Sequence, residues 1–191
     1  MNRAQLEHVI RAATDICDDN EVIIIGSQAI LGSVPDAPAD LLVSMEADVL
    51  PKNKPERTIE IDGAMGELSP FHTTFGYYAH GVSEETAILP PQWRERLIPV
   101  VNANTEGRTG FCLAPVDIAA SKLAAGRDKD LRFVTALLSH RIVTAEDVLQ
   151  ALKGMPPKAR AIIERNLRQC IANGVRRSRG TADFKNAKNT V

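Results

Sequence analysis

The chain has 191 residues, is 44% hydrophobic and 25% charged, and carries a net charge of −1. This predicts one soluble globular domain, or one domain with a helical appendage, and argues against a global basic field for nucleic acid. Its three cysteines, Cys17, Cys112 and Cys170, lie too far apart in sequence for a CxxC-type zinc motif and fit a reducing cytoplasm.

Leu6, Val9, Ile10, Ala13, Ile16 and Cys17 recur at helical spacing and predict an amphipathic helix over 4–18, with no apolar signal-peptide core. The β-branched run Glu21 to Ile25 reads as a buried strand. Gly26-Ser27 turns the chain into a short helical segment, Gln28 to Leu31. A Gly-Ser at a strand end can offer backbone N–H groups and a hydroxyl to a phosphate, although a plain strand-to-helix turn has the same composition.

A prolyl loop leads to a second strand, Glu46 to Leu50. Side chains at i and i+2 of a strand share a face, so Glu46 and Asp48 project together while Ala47 and Val49 turn to packing. Two carboxylates about 4 Å apart repel by roughly 4 kcal/mol at an effective dielectric near 20. Such a pair persists when it is well solvated, as on an exposed edge strand, or when a cation sits between its members.

Residues 56–67 read as a helix weakened by Gly63 and Gly66. Phe75 to Val82 and Thr86 to Leu89 read as a hairpin, and Leu97 to Val101 with Arg108 to Leu113 as a second pair. His80 lies in this region, where it can point into a site. Nothing resembles the Gly-x-Ser-x-Gly of a hydrolase around Ser27.

After Pro115 the chain becomes helical. Val116 to Ala125 and Asp128 to Ser139 read as one continuous or broken helix, and Thr144 caps the next, with Asp147 three residues on. A last helix spans about 158–172, and the basic tail from Arg176 is expected to be disordered. If the 116–139 helix is continuous, Lys122 and Lys129 are two turns apart on one face, with Arg127 and Asp130 beside them. That face can offer cations to a triphosphate, or be a solvated face with local ion pairs. The boundary between an α/β half, 1–114, and a helical half, 115–175, falls near residue 114; 176–191 forms the tail.

Taken together, Gly26-Ser27, Glu46-x-Asp48 and the Lys122-to-Asp130 stretch resemble the nucleotidyltransferase superfamily, of DNA polymerase β-like fold. The helical stretch and Leu89-Pro90-Pro91-Gln92-Trp93-Arg94-Glu95-Arg96-Leu97 look like a branch that includes abortive-infection and toxin–antitoxin nucleotidyltransferases, and the likeness spans roughly residues 20–140. The resemblance implies an α/β (α+β) fold, a mixed sheet with flanking helices followed by a helical C-terminal region. It implies Glu46 and Asp48 on Mg²⁺ or Mn²⁺, Gly26 and Ser27 on the triphosphate, and Lys122, Arg127 and Lys129 around its phosphates. Asp130 would polarise the acceptor or orient the basic residues.

The implied reaction moves a nucleoside monophosphate from an NTP to a hydroxyl of RNA or protein, in an enzyme that could have an antitoxin partner. In one respect the chain departs from the superfamily, which often has a third carboxylate on a later strand. Phe75 to Val82 has no acid, and His80 stands there instead. A catalytically inactive module that binds nucleotide or protein is therefore the alternative reading, with a metal-dependent phosphohydrolase behind it.

Overall fold

A computed structural model describes the backbone of residues 1–187 and the side chains of residues 1–174. Helix α1, Arg3–Ile16, starts on a capping box in which the Asn2 side chain accepts from the Gln5 N–H and the Gln5 side chain accepts from the Asn2 N–H. Strand β1, Glu21–Ile25, leads through a 3₁₀ turn, Ser27–Ala29, into the short α2, Ile30–Ser33. Strand β2 is Glu46–Pro51, followed by α3, Thr58–Met65, and α4, Pro70–Phe75. Strands β3, Tyr78–Gly81, β4, Ile98–Val100, and β5, Thr109–Cys112, complete a sheet of order β3-β2-β1-β5-β4.

The sheet is mixed, as expected. β1 runs antiparallel to β2 and parallel to β5, β2 is parallel to β3, and β4 is antiparallel to β5. All of Val22 to Ile25 is buried, because both faces of this central strand are covered. Helix α1 packs across the sheet, and Gly110 of β5 leaves room for Ile10: a Cβ there would lie 2.3 Å from Ile10 Cδ1.

One expected pairing is corrected. Phe75 to Val82 and Thr86 to Leu89 do not form a hairpin. Residues 70–75 are α4, capped by Ser69 and ended by Gly76 in the left-handed region. β3 pairs in parallel with β2, Glu84–Thr86 is a 3₁₀ turn, and residues 87–89 after it are not a strand. Pro90 and Pro91 follow Leu89 and have no N–H with which to extend a ladder.

The helical half contains α5, Pro115–Ala125, α6, Asp128–Ser139, α7, Ala145–Ala151, and α8, Pro157–Ala187. Gly126, at φ 66°, ends α5, so the broken alternative holds and Lys122 and Lys129 do not share one helix. Asn166 of α8 donates to the Leu123 carbonyl at 2.8 Å and closes that end of α5. Thr144 and Asp147 form the expected capping box of α7. Helix α8 runs on from the expected 158–172 through residues 176–187, the stretch expected to be disordered. The side chains of the arginine cluster from Arg176, and residues 188–191 altogether, lie outside what is described.

Candidate active site

The site begins where β1 ends. Gly26 adopts φ 70° and ψ −163°, a conformation essentially limited to glycine. Its neighbour Ile25 is in register with Asp48 of β2, which sets the turn against that carboxylate. A Cβ on Gly26 would lie 2.0 Å from Asp48 Oδ2, so the missing side chain is what lets the two approach. Ser27 follows at the start of the 3₁₀ turn and lines the same cleft.

On β2, Ala47 and Val49 are fully buried, and Glu46 and Asp48 share the opposite face, as the alternation predicts. Ser44 steadies the start of the strand: its hydroxyl accepts from the Glu46 N–H at 3.1 Å and donates to the Glu46 carbonyl at 3.2 Å. The parallel register of β3 sets His80 beside Asp48. Its Nδ1 lies 3.3 Å from Glu46 Oε1 and 3.9 Å from Asp48 Oδ1. One ligand atom from each of these three side chains falls within 4.8 Å of the others. Burial, then the Glu46 charge, pushes the Asp48 carboxyl up to about 6, against the opposing pull of His80, Lys122 and Lys129. An acid pair that repels itself in this way is a site short of positive charge, and two carboxylates with an imidazole are a donor set that can take a divalent ion.

The facing wall comes from α5 and α6. Asp130 is fully buried and clamps two cations, with Lys122 Nζ at 3.2 Å from Oδ1 and Arg127 Nε at 2.6 Å from Oδ2. Burial opposes its ionisation, but the bonds from Arg127 and Lys122 outweigh that and hold the carboxyl below the usual range. Lys122 Nζ also sits 4.9 Å above the Phe133 ring. Lys129 and Arg132 are exposed on the cleft wall and make no ion pair among the described residues.

The cleft between these walls has a volume of about 900 Å³ and draws residues from both halves of the chain. The structure thus brings together every residue singled out in the sequence: Gly26, Ser27, Glu46, Asp48, Lys122, Arg127, Lys129 and Asp130 all line it. Asp130 faces the two cations, Lys122 and Arg127. Reading the sequence missed Arg132, one helical turn past Lys129. It noted Asp62, with Glu60 and Glu67, only as acids ahead of the strand, and missed that Asp62 Oδ1 lies 3.8 Å from His80 Nε2. Arg132 continues the charge pattern of the helix and could have been found by it; no sequence signal connects Asp62 of α3 to β3.

Comparisons with curated proteins and with solved structures found no match. A family model described as a nucleotidyltransferase of unknown function (DUF6036) matches residues 4–153, a span that contains the turn after β1, the acid pair of β2, His80 and both cation-bearing helices. With four fifths of its length inside that match, the chain belongs to the DUF6036 family of nucleotidyltransferases of unknown function.

Proposed function

We propose that the chain is a divalent-metal-dependent nucleotidyltransferase that moves a nucleoside monophosphate from an NTP to a hydroxyl, releasing pyrophosphate. The observation that carries this reading is the convergence of an acid pair and a cation cluster on opposite walls of one cleft. Glu46 and Asp48 hold the ion, Mg²⁺ or Mn²⁺, and the Gly26-Ser27 turn grips the triphosphate beside it. When bound, the ion offsets charge on the transferring phosphate and positions it for attack. Lys122 and Arg127, aligned by Asp130, and the unpaired Lys129 offset charge on the leaving phosphates. The segments 1–114 and 115–175 work as one unit, since neither supplies both walls.

The cleft carries Lys122, Arg127, Lys129 and Arg132 against Asp40, Glu46, Asp48 and Asp130, an even balance of sign. This supports a local hydroxyl, at an RNA end or on a protein, over a long polyanion as acceptor. A role in a toxin–antitoxin pair rests on the family resemblance alone. No helix among the described residues is long and apolar enough to cross a membrane, and all three cysteines are free and buried, which supports a cytoplasmic setting.

His80, at the strand position where the superfamily often has an acid, favours a second reading, a nucleotide-binding module without turnover. Thermal shift with ATP, GTP, CTP and UTP, each with and without divalent ion, tests the binding step. The expected result is ion-dependent stabilisation by at least one NTP, lost in Asp48→Ala. No stabilisation by any NTP would overturn the site assignment, and stabilisation without pyrophosphate release on any acceptor would favour the second reading.

A further inference from the structure

The position of His80 carries more than a departure from pattern. Its two ring nitrogens face three carboxylates. Nδ1 faces Glu46 and Asp48, at 3.3 and 3.9 Å, and Nε2 faces Asp62 Oδ1 at 3.8 Å. Asp62 is itself fixed, because its Oδ1 accepts the Gly81 N–H at 2.8 Å. At 3.8 Å Asp62 is beyond hydrogen-bond distance of the ring, but it stands on the side of the far nitrogen. A carboxylate there is the usual partner of a metal-bound imidazole: once closed on the ring it takes the N–H and leaves the near nitrogen's lone pair for the ion. The backbone reinforces the arrangement, since Gly81 packs so closely on α3 that a Cβ would lie 2.2 Å from the Thr58 carbonyl oxygen. Strand β3 and helix α3 are thereby held at the spacing that brings Asp62 to the ring.

We infer that His80 is a ligand of the same ion as Glu46 and Asp48, that Asp62 is its positioning residue, and that the resulting set selects Mn²⁺ over Mg²⁺. The inference rests on the proposed nucleotidyltransferase reading for the presence of an ion. It adds the ion's preference. Mg²⁺ takes oxygen ligands and keeps several waters. Mn²⁺ shares that preference for carboxylates, but it begins the transition series whose later members favour imidazole, so a ring nitrogen in the set disfavours Mg²⁺ more than Mn²⁺. The neutral ring also leaves the set with two negative charges where three carboxylates would supply three.

The test is made on the full chain, stripped with chelator and without nucleotide. Mn²⁺ is titrated with free Mn²⁺ read by EPR, Mg²⁺ is measured by competition, and bound Mn²⁺ is examined by pulsed EPR for coupling to ¹⁴N. The expected results are ¹⁴N coupling in the wild type and an affinity for Mn²⁺ at least about tenfold above that for Mg²⁺. His80→Ala, a change at a half-exposed position, removes the coupling and weakens Mn²⁺ binding roughly 10–100-fold. Asp62→Asn weakens binding by about tenfold and keeps the coupling. His80→Asp narrows the preference for Mn²⁺ over Mg²⁺.

Absence of ¹⁴N coupling in the wild type, which needs no variant to fold, would overturn the inference. So would unchanged Mn²⁺ affinity in His80→Ala. If Asp48→Ala still abolished binding in that case, the acid-pair site would stand and only the role of His80 would fall. Absence of any divalent-ion binding, even with a non-hydrolysable NTP present, would overturn the nucleotidyltransferase reading together with the inference.

Discussion

Asp48→Asn in the metal-free protein should stabilise the fold while removing the function. The carboxyl is held at about 6 in the folded chain, against an ordinary value of 3.8, by burial and by the Glu46 charge. At about 1.36 kcal/mol per pKa unit this sets a ceiling near 3 kcal/mol on the destabilisation that the ionised group brings. Solvent reaches 30% of the side chain, so about half of that, ~1.5 kcal/mol, is the expected size. For a chain of this length the gain corresponds to about 3–6 °C in Tm.

The sign follows from a folded-state value above the unfolded one. Below about pH 4 the carboxyl is protonated in both states and contributes nothing; the penalty grows as pH rises and is complete above about 6. Urea unfolding in chelator at pH 8 and pH 4.5 should therefore show the variant more stable at the higher pH, with the difference shrinking at the lower. A variant no more stable than wild type at pH 8, or a difference independent of pH, would refute the electrostatic account of the site. With ion and NTP the order reverses: wild type gains about 2.7 kcal/mol at a hundredfold excess over Kd, and the variant does not.

Other residues yield sharper splits between fold and function. Gly26→Ala puts a methyl against Asp48 Oδ2 in a strained backbone conformation and should cost about 1–3 kcal/mol, read as a lower urea midpoint, together with ion-dependent NTP binding. Asp130→Ala leaves Lys122 half-buried without its partner, although Arg127 is 64% exposed and can re-solvate, so a loss of about 2–3 kcal/mol is expected on urea unfolding at pH 7. The stability Asp130 supplies is present above its ordinary pKa and is lost as pH falls through the lowered folded-state value. Lys129→Ala, at an exposed position, should change stability by less than about 0.5 kcal/mol and raise KM for the NTP.

The parts of the fold that were legible in the sequence are those that local patterns determine. Glu21 to Ile25 reads as a central strand because both faces need apolar cover, and Glu46-x-Asp48 reads as a shared face because strand periodicity is two. The capping box at Thr144 is equally local. The error at Phe75 to Val82 has a matching cause. An alternating segment signals a strand but not its partner, and β3 pairs with β2, whose residues lie more than thirty positions away at Glu46↔Tyr78, rather than with the next apolar run. Lys122, Arg127, Lys129 and Asp130 do line one cleft, but they do not reach it along a single continuous helix. Gly126 breaks the helix, and the resulting turn, not a shared face, brings Lys122 within 3.2 Å of Asp130. The relation of Asp62 to His80 was out of reach because it depends on how α3 settles against the edge strand, a packing outcome with no sequence period.

The account stands or falls on whether the two walls of the cleft act on one NTP. The direct measurement is pyrophosphate release by the full chain with the NTP that stabilises it, divalent ion, and candidate RNA and protein acceptors, run beside Asp48→Ala. The account predicts release that requires the ion and the acceptor and is absent in Asp48→Ala, whose fold remains intact by circular dichroism. Equal release by wild type and Asp48→Ala would contradict it.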